Sequence, residues 1–377
     1  MAKKEQAEAS PVVERGGRLS AFLAGELVKQ IKKKHGEAAL LRASEFKVQD
    51  VPRIPTGIFD FDYGLGGGFP VGRVSTLYGP KSSAKTTIFL KAIKNAQNMC
   101  STCYTFIDGD SGKCRCGEMR EFVIAFLDVE GALDVRWARD LGVDTERLLI
   151  DIPEYAEAAL DIGEALLRSG EVDILVTDSL AFLTPQKEIE SSIEKDLMGA
   201  QPRLIGKGVR KFLAAMNGVG KDTGRRPTVW FTNQIRMKLG VMFGNPETQP
   251  GGYAPGFAAS IEVRCSSKKY EIDAKLKKPL WVEMGFKVEK NKVFGAKIAG
   301  EYRLMLSSTD DRKPGDVADE DSMIAWGEQL GIITRQGGYN CLDRTFRIKG
   351  DLERALITDP KFKQELRDTL MPILLAA

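Results

Sequence analysis

A chain of 377 residues with 43% hydrophobic side chains, 28% charged side chains and 38 glycines has room for a large buried core, and that composition excludes a fibrous or disordered protein. A formal net charge of +3 is too small to identify a polyanionic partner, because such binding depends on where basic side chains cluster. No apolar run reaches the length of a membrane span and the N-terminus lacks an apolar leader, so the expectation is a cytoplasmic protein with no membrane partner.

Residues 1–18 are polar and charged and are expected to form a flexible tail. Leu19, Phe22, Leu23, Leu27 and Ile31 then recur at three- and four-residue steps, the spacing of one apolar helix face ending near Gly36. The run "FKVQDV" follows and alternates like a short strand. This helix-strand segment, 19–52, suits packing either on the main core or on a neighbouring subunit. Over 53–309, the runs "RVSTLY", "FVIAFL", "LLI", "VDILVT" and "TVWFT" are separated by helical patterns such as "AEAALDIGEALLRSG". Buried strands interleaved with helices predict an α/β fold with a mostly parallel sheet covered on both faces, and ligands at the carboxyl ends of its strands. The segments 184–199 and 235–258 are long, glycine-bearing and without a clear period, as functional loops are. "WVEMGFKVEKNK" and "EYRLML" alternate as antiparallel edge strands. The last stretch, 310–377, combines helical spacing with a small hairpin in "IITRQGGYNCLDRTFRI" and reads as a separate α+β C-terminal domain.

The sharpest motif is "GPKSSAKTT", from Gly79 to Thr87, between a strand and a helix. In a phosphate-binding loop the backbone around Gly79, Pro80, Ser82, Ser83, Ala84 and Thr87 turns N–H groups toward an anion. Lys85 supplies charge to the outer phosphates and Thr86 a hydroxyl for magnesium. Ala84 stands where such loops carry a second glycine; its methyl is harmless on a helix-like backbone and disruptive at positive φ. Asp178, at the end of "ILVTD", fits a second magnesium contact, although an aspartate after a strand, taken alone, is more often a helix cap. Glu130, past the strand of "FLDVEG", fits a base for water attacking a γ-phosphate, and equally a surface carboxylate. Gln234, closing "WFTNQ", can sense that phosphate and pass its presence to the loop that begins at the next residue.

"GPKSSAKTT", "FLDVEGALD", "ILVTDSLAFLTP", "NQIRMKLGVMFGNPET" and "KNK" resemble, in order and spacing, the motifs of bacterial and phage RecA-type recombinases, from about Leu19 to the C-terminus. The resemblance implies a RecA-type phosphate-loop ATPase core that uses ATP and Mg2+, preceded by an oligomerisation segment and followed by the small C-terminal domain. It implies a DNA-dependent ATPase that forms a helical homo-oligomer on single-stranded DNA and catalyses homologous pairing with duplex DNA and strand exchange, in recombination and repair. Carried over by position, Lys85, Glu130 and Gln234 become catalytic. Lys290 and Lys292 would reach the ATP of the adjacent subunit, and Asp134 and Trp137 would meet adenine, though Trp137 also suits a core position. Met198, Gly199, Arg203 and Arg210 fall in a first DNA loop. Arg236, Lys238, Leu239, Val241, Met242, Phe243, Gly251 and Gly252 fall in a second, which Phe257 links to the neighbouring nucleotide site. A ring helicase would share Lys85, Glu130 and Asp178, and a non-hydrolysing ATP-binding DNA scaffold would follow if Ala84 blocked turnover.

Cys100-x-x-Cys103, ten residues, then Cys114-x-Cys116 form an insertion, 100–116, that relatives of this kind generally lack. Four thiolates on short turns suit a structural zinc ion; free thiols or a redox pair are the other readings.

Overall fold

All five apolar runs become strands of one sheet. In the computed structural model these are Val74–Gly79 (β3), Ile124–Asp128 (β4), Leu148–Asp151 (β5), Ile174–Asp178 (β6) and Thr228–Gln234 (β7). They are preceded by the two-residue pair Arg53–Ile54 (β1) and Phe69–Pro70 (β2). The described residues are 17–36, 40, 51–109, 111–192, 199–237, 246–273, 277–295 and 298–376. They fall into two units, Met1–Asp50 and Val51–Ala377.

In the first unit, Gly17–Ala24 (α1) and Glu26–His35 (α2) replace the single helix expected there. Gly25, at φ −71° and ψ 157°, is extended rather than helical, and this interrupts the run. Nearly all of "FKVQDV" lies outside the described residues.

In the second unit, Phe59–Leu65 (α3) comes first and Lys85–Gln97 (α4) follows β3. Val135–Asp140 (α5), Ala156–Ser169 (α6), Gln186–Glu190 (α7) and Ala200–Thr223 (α8) connect the later strands. Beyond β7 come the short strands Arg236–Met237 (β8) and Glu247–Thr248 (β9), helix Ala254–Ala258 (α9), and the long strands Ile261–Ile272 (β10) and Pro279–Asn291 (β11). Ala299–Met305 (β12) and Val317–Ala318 (β13) complete a nine-stranded sheet in the order β13-β12-β11-β10-β3-β7-β6-β4-β5. From β10 to β5 neighbouring strands are parallel, and from β10 to β13 they are antiparallel.

Apolar side chains line both faces of this sheet, as strands crossed over by helices require. On one face Phe89 of α4 stacks on Trp230 of β7, ring centroids 5.1 Å apart, with Phe69 against both. On the other, Leu160 of α6 and Phe212 of α8 pack with Leu175 and Phe231. A third cluster joins Phe59 of α3 to Glu320–Gln329 (α10), Lys349–Thr358 (α11) and Pro360–Ala376 (α12). The expected hairpin in 332–348 is a three-stranded antiparallel sheet, Ile333–Arg335 (β14), Tyr339–Cys341 (β15) and Arg344–Phe346 (β16). The turn at Leu342, φ 54°, adds the third strand. Among the described residues no helix is long and apolar enough to cross a membrane.

Candidate active site

β3 ends at Gly79 and α4 begins at Lys85, so the loop between them lies where a strand runs into a helix N-terminus. Gly79 has no room for a side chain, since a Cβ there would stand 2.2 Å from the carbonyl oxygen of Cys265 in β10. Within the loop, Ser83 Oγ donates to the Pro80 carbonyl at 2.8 Å, and Lys85 Nζ donates to Pro80 at 2.8 Å and Gly79 at 3.3 Å. Burial lowers the Lys85 pKa, while Cys265, Asp178 and Glu130 pull it back up. Ser82 and Ala84 take φ of 60° and 58°. Ala84 therefore adopts the left-handed state, the strained one of the two open to it, with its methyl packed at the margin of the core.

Asp178 is buried at the end of β6, with Thr86 Oγ1 donating to Oδ2 at 2.5 Å and Thr232 Oγ1 donating to Oδ1. Burial pushes its carboxyl above the ordinary range; the two hydroxyls oppose that shift, and the nearby Glu130 and Asp128 add to it. Glu130 lies two residues past β4, exposed, and its Oε1 accepts from Ser179 Oγ at 2.6 Å and from Gln234 Nε2 at 3.4 Å. Four strand ends thus bring Lys85, Thr86, Glu130, Asp178 and Gln234 into one crevice. Ser179 and Thr232 join them without having been assigned a role from sequence; Ser179 directly follows Asp178, a signal for its place but not for its partner, and Thr232 offered none. Asp134 caps α5, its carboxylate accepting from Arg136 N at 2.8 Å and Trp137 N at 3.2 Å. The Trp137 indole Nε1 donates to Thr87 Oγ1 at 3.1 Å, which fixes that ring beside the start of α4.

Directly after Gln234 the chain leaves the sheet and forms the pair β8–β9, Arg236 opposite Thr248 and Met237 opposite Glu247. This ladder is the base of the second long segment. Arg264 grips Glu247 at two points, 2.7 and 2.9 Å, and Asn233 Nδ2 donates to the Pro250 carbonyl at 3.0 Å. Arg236 is exposed at this base, and Gly251 and Gly252, at φ 92° and 68°, turn the chain into α9. Lys238, Leu239, Val241, Met242 and Phe243 lie outside the described residues, as does Met198. Gly199, at φ 78°, precedes α8, and Pro202 sits in the first turn of that helix, where an absent N–H is no loss. Arg203 and Arg210 are exposed along α8, and Lys207 joins them at four- and three-residue steps. That lysine was legible in the spacing and was passed over.

Beside the base lies a groove of about 620 Å³ lined by Ile235, Tyr253, Phe257, Glu262 and Lys290 among others. Tyr253 and Phe257 are 81% and 77% exposed, which leaves two aromatic rings facing solvent. The Lys290 ammonium donates to the Gly256 carbonyl. Lys290 pairs with Glu262, which pairs with Thr76, three residues before Gly79. At about 3.3 Å per residue this leaves Lys290 about 10 Å short of the phosphate loop along the strands and two strands aside. Lys292, whose N–H bonds to Ser260, lies one step farther away. Neither lysine joins the crevice of its own chain. The cysteine sulfurs of residues 100, 103, 114 and 116 do come together, all within 4.8 Å of one another.

A family model described as the RecA N-terminal domain matches residues 23–113 and 115–308. The chain belongs to the RecA family. Protein RecA of Cutibacterium acnes is 36% identical over 348 residues, covering 91% of this chain and 89% of that relative. Protein RecA of Nautilia profundicola is 36% identical over 347 residues, with coverage of 91% and 89%. Protein RecA of Nocardia farcinica is 37% identical over 314 residues, covering 82% and 79%. RecA-family proteins are DNA-dependent ATPases that use ATP and Mg2+, and this chain is accordingly a recombinase of recombination and repair that binds DNA and self-associates. The crevice fits both cofactors: Gly79 leaves the backbone bare at the loop, and a buried aspartate raised by its surroundings, hydrogen-bonded to Thr86, is a group that a cation would relieve.

Proposed function

We propose that this recombinase assembles as a helical filament on single-stranded DNA, pairs it with homologous duplex DNA, and hydrolyses ATP at the crevice around Glu130. The observation that carries the reading is the position of Gln234. Its side chain contacts Glu130, and the residue after it enters the base of the segment carrying Arg236, Lys238 and Phe243. A γ-phosphate that drew the Gln234 amide away from Glu130 would pull directly on that base.

Each group then has a distinct task. Lys85 exchanges the carbonyls of Gly79 and Pro80 for phosphate oxygens. The loop from Gly79 to Thr87 offers its N–H groups, and Trp137, held by Thr87, offers an aromatic face for adenine beside Asp134. Thr86 and Asp178 hold magnesium, which when bound neutralises charge on the phosphates. Ser179 fixes one Glu130 oxygen so that the carboxylate can orient a water and take its proton. Lys290 and Lys292 serve the nucleotide of a neighbouring copy. Gly199, Arg203, Lys207, Arg210, Gly251 and Gly252 line the DNA path, where basic side chains meet phosphates and apolar ones enter between bases. Residues 19–52 dock on the adjacent subunit, 310–377 contact duplex DNA, and the four cysteines take a structural Zn2+.

The test compares ATP turnover of the full chain with and without single-stranded DNA, beside Glu130→Gln. Strong stimulation is expected in the wild type, with a loss of about 100-fold or more in the variant and retained binding of ATP and DNA. No stimulation in the wild type would leave a scaffold, and rings rather than filaments by electron microscopy would leave a motor.

A further inference from the structure

The four cysteines occupy the join between the end of α4 and the start of β4, at the end of the parallel sheet opposite the phosphate loop. Between Thr102 and Arg120 no described residue is fully buried, and although Tyr104 packs beside Phe122 at the margin of the core, apolar contacts alone give this insertion little support. A cross-link supplies that support in segments too small for a core. Tetrahedral zinc with Zn–S bonds of about 2.3 Å requires sulfurs about 3.8 Å apart. Cys100 and Cys116 are 3.7 Å apart and Cys114 and Cys116 3.3 Å, whereas a disulfide needs about 2.05 Å. Each cysteine pair sits on a tight turn, Tyr104 N donating to the Cys100 carbonyl at 2.8 Å and Gly117 N to the Cys114 carbonyl at 3.1 Å. Tyr104 and Gly117, the residues that follow the two pairs, take φ of 57° and 78°. A tyrosine in that state persists only where its surroundings dictate it.

Ser101, directly after the first ligand, ties this cluster to the sheet. Ser101 N donates to the Arg120 carbonyl at 2.8 Å, and Ser101 Oγ donates to the Glu121 carbonyl at 3.0 Å and accepts from Arg120 Nη1 at 2.7 Å. The same Nη1 reaches Asp173 Oδ1 at 2.7 Å. Asp173 in turn accepts Val123 N on Oδ2 at 3.0 Å and Thr228 N on its carbonyl at 2.8 Å. It therefore stands where β4, β6 and β7 begin, and their far ends lead to Glu130, Asp178 and Gln234.

Resting on the zinc reading above, we infer that the four-thiolate site is a clamp on the base of the catalytic strands: zinc on Cys100, Cys103, Cys114 and Cys116 holds Ser101 and Arg120 against Asp173. Four protein thiolates leave no open coordination position, so the metal supports and does not catalyse. The clamp explains how an insertion can sit between the phosphate-loop helix and the Glu130 strand without loosening either.

The full chain as purified is analysed for zinc by mass spectrometry and melted before and after chelation under reducing conditions, as wild type and as Arg120→Gln. Arg120→Lys replaces the latter if it does not fold. Single-stranded-DNA-stimulated ATP turnover is read on the same samples. Expected are a single zinc per chain, a fall in Tm of about 5 °C on chelation in the wild type, and a markedly smaller fall in the variant. Stoichiometric zinc with equal falls in both proteins overturns the clamp and leaves the zinc. A chain without zinc, or with a disulfide among these cysteines, overturns both. Zinc-loaded protein without stimulated turnover counts against the recombinase mechanism instead.

Discussion

At Ala84 a single methyl group sets the local energetics of the phosphate loop. Its φ of 58° and ψ of 21° cost a residue bearing Cβ about 1–2 kcal/mol. Glycine would remove that strain and lose part of the gain to its freer unfolded chain. Ala84→Gly is thus expected to stabilise the protein by about 0.5–1 kcal/mol, a rise of about 1 to 3 °C in Tm, with stimulated ATP turnover intact. A lower Tm in a thermal melt would mean that packing of the methyl at the core margin outweighs the strain. The sequence posed this choice of backbone states without resolving it, because φ here follows from a loop closed by Ser83 and Lys85 onto its own carbonyls. The hydroxyls of Ser179 and Thr232 were opaque for a related reason. Their partners, Glu130 and Asp178, stand 49 and 54 residues away, and only strand order brings them together.

Among the elements, those read correctly announce themselves by local pattern. β3, β4, β6 and β7 are continuous apolar runs ending in polar residues, so both the strands and the crevice at their ends were legible. β10 was missed although Ile261, Val263 and Cys265 are buried in alternation with partly exposed Glu262 and Arg264. Charged residues between them hid a strand that is half-covered rather than wholly buried. The join between α3 and α12 was beyond any local reading. Asp62 is fully buried there, accepting from Thr56 N at 2.7 Å, Thr56 Oγ1 at 2.8 Å, Gly57 N at 2.9 Å and from Arg367. Burial raises its carboxyl, against the pull of Arg367 and of the Thr56 and Gly57 donors. Arg367→Leu leaves that charge without its counterion and is expected to cost about 3 kcal/mol near neutral pH by urea unfolding. A carboxyl raised in the folded state binds protons that the unfolded chain does not, so stability attributable to it grows as pH falls through its folded pKa. The gap between variant and wild type should therefore narrow from pH 7 to pH 5. A gap that widens on acidification would contradict the assignment.

On the scale of the whole molecule, the two lysines that sequence resemblance assigns to ATP are held away from the crevice of their own chain. Lys290 lines the groove with exposed Tyr253 and Phe257, and Lys292 follows it two residues on; both are set back toward the amino end of β3 and two strands aside, while Glu130 lies past the carboxyl end of β4. If the lysines act on a neighbour's nucleotide, the interface is heterologous, one patch meeting a different patch, and a hydrolytic site is complete only between copies. Cations delivered in this way stabilise charge on the transferring phosphoryl group, as an arginine finger does. This yields a complementation experiment. Glu130→Gln and the double variant Lys290→Ala/Lys292→Ala should each bind single-stranded DNA and hydrolyse ATP poorly. When the two are mixed in equal amounts, random assembly places an intact Glu130 against intact lysines at roughly one interface in four, so turnover should recover to about a quarter of the wild-type rate. Recovery must vanish where filaments do not form, because each variant alone lacks one half of the site. If the mixture is no faster than its parts while mixed filaments are visible by electron microscopy, the lysines act elsewhere, and each protomer hydrolyses ATP with its own residues.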